Sequence, residues 1–170
     1  MIWLIGMSGA GKTTIGRELY RQIKQDHPNT VFIDGDDVRY MMGADLGHGI
    51  EDRRRNAARI SHICEFLDRQ QIHVVAAVLS IFHEWQDWNR QHLSHYYEVY
   101  LDVSLDTLRA RDPKGLYQKA AAGDLPNFVG VDIPFPPPKS PDLIIDNNAR
   151  VDDVIPLAAE IRSRLTLERR

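Results

Sequence analysis

Near its start the chain carries Gly6-Met7-Ser8-Gly9-Ala10-Gly11-Lys12-Thr13-Thr14, which fits the phosphate-loop pattern G-x-x-x-x-G-K-[ST] without adjustment. The apolar run Ile2-Trp3-Leu4-Ile5 before it reads as a buried strand, and Thr14 to Tyr20 after it opens a helical pattern. Strand, loop and helix must come in that order, because the loop wraps a phosphate chain while the helix N-terminus turns its free N–H groups toward it. Gly6, Gly9 and Gly11 let the backbone close on the phosphates. Lys12 is placed to reach the β- and γ-phosphates and the Thr13 hydroxyl to ligate Mg²⁺, with Ser8, Ala10 and Thr14 completing the nucleotide-binding set. The competing reading, a chance match on a glycine-rich turn, does not account for the strand and helix on either side. The pattern therefore implies ATP or GTP binding.

The chain's 170 residues give one domain with room for a core, and no internal repeat or linker divides it. A net charge of −3 offers no electrostatic case for nucleic acid or an anionic membrane as partner. The chain opens on a core strand, leaving no room for a leader, and no apolar run reaches membrane-spanning length. Its one cysteine, Cys64, excludes an internal disulfide and a cysteine-built zinc site, and a cytoplasmic setting follows. Cys64 falls at helical spacing with Ile60, Ile63 and Leu67 and reads as a core residue rather than a reactive thiol.

Beyond the first helix, Thr30 to Ile33 is a β-branched and aromatic strand ending in Asp34-Gly35-Asp36-Asp37. A short helix is expected over Val38–Met42 and a long one over Glu51–Gln70. The nearly continuous apolar run Ile72–Leu79 predicts a central strand buried on both faces, ending at Ser80. His83–His95 reads as a helix whose Trp85 and Trp88 serve core packing or a dimer contact, Tyr97–Val103 as a strand and Leu105–Arg111 as a short helix. Residues 112–141 hold much of the Pro and Gly and are expected to form a functional lid. A strand over Leu143–Ile145 and an amphipathic helix from Val151 to about Leu165 close the chain. Alternating strands and helices predict an α/β phosphate-loop fold, a five-stranded parallel sheet with helices on both faces.

Phosphoryl transfer needs a phosphate cradle, a metal, a group that orients or deprotonates the nucleophile, and positive charge around the moving group. Asp34 and Asp36 leave the second strand at the sheet edge where ligands bind, one suited to the Mg²⁺ shell and the other to the proton of a substrate hydroxyl. A solvated turn is the plainer alternative. Arg39 and Arg53 are placed to grip an anionic substrate, with Asn56 one turn beyond Arg53. Arg54 or Arg55 reads as solvated surface, since consecutive arginines cannot all face one way.

These residues, in this order and spacing, resemble the adenylylsulfate (APS) kinase family. The signals are Asp34-Gly35-Asp36-Asp37-Val38-Arg39, Asp45-Leu46-Gly47, Arg53 with Asn56, Ser80, Arg111-Asp112-Pro113-Lys114-Gly115-Leu116-Tyr117 and Phe128-Val129-Gly130-Val131-Asp132. The resemblance covers residues 2 to about 147 and implies transfer of the ATP γ-phosphate to the 3′-hydroxyl of adenosine 5′-phosphosulfate, in sulfate assimilation. It implies that Asp36 is the base, that Asp34 partners Mg²⁺, and that Arg39, Arg53, Asn56 and Ser80 bind the acceptor nucleotide. It further implies that Lys114 belongs to the lid, that Phe128 packs on the acceptor base, that Arg111 contacts the ATP adenine, and that the protein is a homodimer.

The departures from the family pattern cluster on the acceptor side. His48 stands where the family stacks a phenylalanine, Ser80-Ile81-Phe82-His83 replaces Ser-Pro-aromatic-Arg, and Gln86 replaces a further arginine. Gln118, Lys119 and Ala121 replace the lid's paired lysines and arginine. An offshoot of the family acts on cytidine diphosphoramidate in surface polysaccharide modification, and a smaller base suits His48. A regulatory nucleotide switch is the rival from another class. The paired carboxylates and the lid favour a second substrate instead, and no Asn/Thr-Lys-x-Asp guanine-reading motif is present.

Overall fold

The computed structural model describes residues 1–43, 45–112, 114–149 and 154–167. Its elements are β1 (Ile2–Ile5), α1 (Lys12–Asp26), β2 (Thr30–Asp34), α2 (Gly35–Met41), α3 (Ile50–Arg69), β3 (His73–Val78), α4 (His83–His92), β4 (Tyr97–Asp102), α5 (Leu105–Arg111), α6 (Leu116–Ala121), β5 (Leu143–Asp146) and α7 (Ile155–Ser163). The five strands form one sheet in the order β2-β3-β1-β4-β5, with every pair parallel.

The central strand shows why the run Ile2–Ile5 carries no polar residue. Ile2 and Leu4 pack with Ile15, Leu19 and Ile23 of α1 and Ala158 and Ile161 of α7. Trp3 and Ile5 point the other way, into a cluster with Val38 of α2 and Ile60 and Cys64 of α3. Alternation across the strand thus supplies two apolar layers at once, as a parallel sheet covered on both faces requires. Helix α1 lies close against the sheet: a Cβ on Gly16 would stand 2.8 Å from both Leu4 Cδ1 and Phe32 Cε2. Arg162 donates to the Gln22 carbonyl at 2.7 Å, tying α7 to α1. Burial pushes the Cys64 thiol up to about 12, as its core position predicts.

The sequence-predicted architecture holds, with differences at local boundaries. Helix α2 begins at Gly35, ahead of the expected Val38, because the Asp34 carboxylate accepts from the Asp36 N–H at 3.0 Å and caps it. Helix α4 stops at His92. Within the stretch read as a lid lies α6, entered through Gly115 at φ 63°. The expected start of the last helix, residues 151–153, lies outside the described residues. Among the described residues no helix is long and apolar enough to cross a membrane.

Candidate active site

The phosphate loop joins the C-terminal end of β1 to the N-terminus of α1. Gly9 and Gly11 take φ of 79° and 96°, and no side chain caps α1, so its first N–H groups are left for a ligand. Two distant residues hold the loop's shape. Asn147, just past β5, donates to the Ala10 carbonyl at 3.0 Å. Tyr117 of α6 donates its hydroxyl to the Ser8 carbonyl at 2.9 Å. Lys12 Nζ donates to the Met7 carbonyl at 2.8 Å, across the mouth of the loop. Burial lowers the Lys12 pKa to about 8 against the opposing charges of Asp34 and Asp36. An ammonium poised in this way gains when an anion enters.

Asp34 and Asp36 differ in their contacts. Asp34 Oδ2 accepts from the Thr13 hydroxyl at 2.7 Å, and Oδ1 accepts from the Asp36 backbone. Asp36 is exposed toward the cavity, and its carboxylate accepts no hydrogen bond among the described residues. A hydroxyl and a carboxylate oxygen side by side next to a phosphate cradle form a hard-oxygen donor set that fits Mg²⁺, which keeps part of its water shell and completes its coordination on phosphate.

Around these groups runs a cavity of about 510 Å³. Ser8, Gly9, Gly11, Lys12, Thr13 and Thr14 line it on the loop side, and Asp34, Asp36, Arg39, His48, Arg53, Asn56, Ser80, Lys114 and Phe128 elsewhere. The structure therefore gathers most of the sequence-predicted residues at one edge of the sheet. Gly6 and Ala10 are not in the wall. They work behind it, where a Cβ on Gly6 would meet Ala10 Cβ and the Leu101 carbonyl, each at 3.1 Å. Arg111 also stands apart, donating to the Asn148 and Ala149 carbonyls at 3.1 and 2.6 Å and holding the loop after β5.

Elsewhere in the cavity wall, Arg53 joins three segments. Its Nε donates to the His48 carbonyl and its NH2 to the Asn127 carbonyl, both at 2.8 Å, so the start of α3 holds the loop before it and the segment around Asn127. Arg39 donates to the Gly47 and Leu46 carbonyls. Burial and the nearby Arg39 and Arg53 charges hold the His48 imidazole below its ordinary pKa, which keeps the ring neutral at pH 7. Phe128 is nearly buried and meets the Tyr117 ring edge-on with centroids 4.9 Å apart.

Gln86 fills the place of the missing arginine with a different job. Its Nε2 donates to the Ser80 carbonyl at 2.9 Å, and Ser80 sits at φ 51°, a conformation that a non-glycine residue keeps only when held. His83 bonds the Pro137 carbonyl at 2.9 Å and so ties α4 to the proline-rich segment before β5. Arg54 pairs with Glu84 and lies over the Phe82 ring at 4.5 Å, outside the cavity wall. Trp85 lines the cavity, whereas Trp88 stacks on His92 with centroids 4.1 Å apart. Sequence reasoning missed Tyr117, Asn147 and Gln86 as site residues. The signal for Tyr117 was present, since it closes the Arg111–Tyr117 motif. Asn147 follows a predicted strand end, where ligand-facing groups gather.

Kinases resemble this chain in both sequence and fold. The adenylylsulphate kinase family profile matches residues 1–146. The cytidine diphosphoramidate kinase of Campylobacter jejuni is 40% identical over 153 residues, covering 88% of this chain and 87% of that protein. The adenylyl-sulfate kinase of Bacillus licheniformis is 38% identical over 151 residues, covering 88% and 77%. The structure of the Mycobacterium tuberculosis APS kinase in complex with AMPPNP and APS has a TM-score of 0.85 at 31% identity, covering 95% of this chain and 94% of that one. Matched over most of its length by the family profile and by relatives at this identity, the chain belongs to the adenylylsulphate kinase family and is a kinase.

Proposed function

We propose that the protein transfers the γ-phosphate of ATP to a ribose hydroxyl of a nucleotide, and that its acceptor is cytidine diphosphoramidate. The observation that carries the choice of acceptor is the state of α4. Where the family pattern has arginines it has Gln86 and His83, bonded to the Ser80 and Pro137 carbonyls. The acceptor cradle is thus short of the cations that a sulfate-bearing tail draws on, while Arg39 and Arg53 remain for a diphosphate. His48, smaller than the phenylalanine of the family pattern, lines the same cavity as Phe128 and suits a single-ring base.

In this reading the acceptor hydroxyl oxygen attacks the γ-phosphorus while the bond from that phosphorus to the β,γ-bridging oxygen breaks, releasing ADP. Asp36, the unengaged carboxylate, takes the hydroxyl proton. Lys12 and the N–H groups at the start of α1 stabilise charge on the phosphates. Thr13 and Asp34 would hold Mg²⁺, which neutralises the β- and γ-oxygens when bound. Lys114 closes the lid side, and the loop held by Arg111 borders the ATP base. The family resemblance suggests a homodimer, and the single cysteine suits a cytoplasmic setting.

Adenosine 5′-phosphosulfate is the second reading, favoured by the retained Arg39, Arg53, Asn56 and Phe128. Mass spectrometry of products from Mg-ATP with cytidine diphosphoramidate, adenosine 5′-phosphosulfate and plain nucleosides decides between them. A phosphorylated cytidine compound is expected. Product from the phosphosulfate alone overturns the choice of acceptor. ADP without any phosphorylated acceptor points to a nucleotide switch.

A further inference from the structure

The stretch Asp45-Leu46-Gly47-His48 carries one of the family signals, yet of its four residues only His48 lines the cavity. The other three are fixed from outside the wall. Both carboxylate oxygens of Asp45 accept from Arg59, one from NH1 and one from NH2, each at 2.7 Å, in the bidentate fork that suits a guanidinium to a carboxylate. These bonds hold the Asp45 carboxyl below its ordinary range, so it is ionised at neutral pH. Leu46 is buried. The Gly47 N–H donates to Asp52 Oδ2 at 3.0 Å, and a Cβ at Gly47 would stand 2.9 Å from that oxygen, so the bare glycine is what lets it in close.

The side chains that hold this stretch fall into two groups. Arg39 and Arg53, which donate to the Leu46, Gly47 and His48 carbonyls, themselves line the cavity. An acceptor phosphate competes with those carbonyls for the same guanidinium N–H groups. Asp52 and Arg59 do not line the cavity, so their bonds to the stretch do not compete with a bound anion. Arg59 sits six positions beyond Arg53 on α3, about 9 Å further along the helix. The helix thus grips the stretch at both ends, and the Arg59 end stands clear of the substrate.

We propose that the Asp45–Arg59 pair is a positioning device for acceptor binding: it keeps the backbone before His48 in place while Arg39 and Arg53 are drawn to the acceptor, and so fixes where the His48 ring stands. The inference rests on the reading of the His48 wall as part of the acceptor site and holds for either acceptor named above. It gives Asp45-Leu46-Gly47 a use, although none of the three lines the cavity. An exposed ion pair adds little to global stability, so its loss should be felt at the stretch it holds and not across the fold.

The test uses Arg59→Ala, Asp45→Ala and the double variant, with titration calorimetry on cytidine diphosphoramidate and on adenosine 5′-phosphosulfate. For whichever compound the wild type binds, Kd is expected to rise about three- to tenfold in each single variant and no further in the double, because the two side chains act as one. Affinity for ATP should stay within about a factor of two. Arg59→Lys, which keeps the charge without the fork, should fall between Arg59→Ala and the wild type. Hydrogen exchange adds a readout without ligand: the Gly47 amide should exchange about tenfold faster in Arg59→Ala while the core strands stay as protected as before. Unchanged acceptor affinity in both single variants, equal losses for acceptor and ATP, or additive losses in the double variant overturns the proposal, as does unchanged exchange at Gly47. If the wild type binds neither compound, the acceptor reading fails by itself, and the exchange result decides whether the pair positions the stretch.

Discussion

The Thr13 hydroxyl donates to the Asp34 carboxylate at 2.7 Å, so the last residue of β2 is fastened to the first turn of α1. The same carboxylate caps α2. One side chain therefore sets the spacing between the phosphate cradle and the helix that carries Asp36 and Arg39.

Substitutions at the two carboxylates should part company. Asp34→Ala removes a cap and the partner of Thr13, costing about 1–2 kcal/mol of stability, or roughly 2–8 °C in Tm. Asp36→Ala breaks no hydrogen bond of its side chain and should leave Tm and ATP affinity nearly unchanged while lowering kcat by about 10²–10⁴-fold. Calorimetry beside steady-state kinetics checks both, and near-normal turnover in Asp36→Ala would remove it from the role of base.

ATP affinity should depend on pH through Lys12. In the free protein its pKa is lowered to about 8, and the phosphates favour the charged form, so binding raises it. Below pH 7 the ammonium is already present and affinity is flat. Above pH 8 each binding event must take up a proton, and Kd should rise by up to about tenfold per pH unit. Titration calorimetry between pH 6.5 and 9.5 tests the sign, and a flat Kd across that span contradicts it.

Tyr117 of α6 reaches the phosphate loop with its hydroxyl and Phe128 with its ring. Tyr117→Phe keeps the edge-on contact with Phe128 and loses only the bond to the Ser8 carbonyl, a change of about 0.5–1.5 kcal/mol. A three- to tenfold rise in KM for ATP is the corresponding expectation, with Tyr117→Ala worse for both substrates. If the phenylalanine variant matches wild type, the hydroxyl plays no part in holding the loop.

Gln86 should matter to the acceptor and not to ATP. In Gln86→Leu the Ser80 carbonyl loses its donor where the backbone holds φ at 51°. The acceptor kcat/KM should fall about tenfold, equivalent to about 1.4 kcal/mol, with KM for ATP within a factor of two. Equal losses for both substrates would mean that the substitution loosens the whole sheet edge.

The phosphate loop, the central strands and the layering were legible because each depends on residues near one another in sequence. Gly9, Gly11 and Lys12 serve one turn, and Ile2 to Ile5 show their burial in their own composition. The rest depended on distance. Asn147 reaches Ala10 across 137 residues and Tyr117 reaches Ser8 across 109, and no local period announces such pairs. Helix α6 was hidden by its length of six residues among glycines and prolines, too short for a 3.6-residue pattern to repeat. Gln86 read as a lost arginine, because its positive role, fixing Ser80, exists only once α4 is folded against the end of β3.

The suppressed thiol of Cys64 has a practical use. It is the only cysteine in the chain, fully buried, with its pKa pushed up to about 12. A maleimide or disulfide reagent should therefore leave the native protein untouched and mark molecules that have opened their core. The wild-type background is in effect chemically silent, so a fluorophore attached through a new cysteine on α6 would report from a single known point.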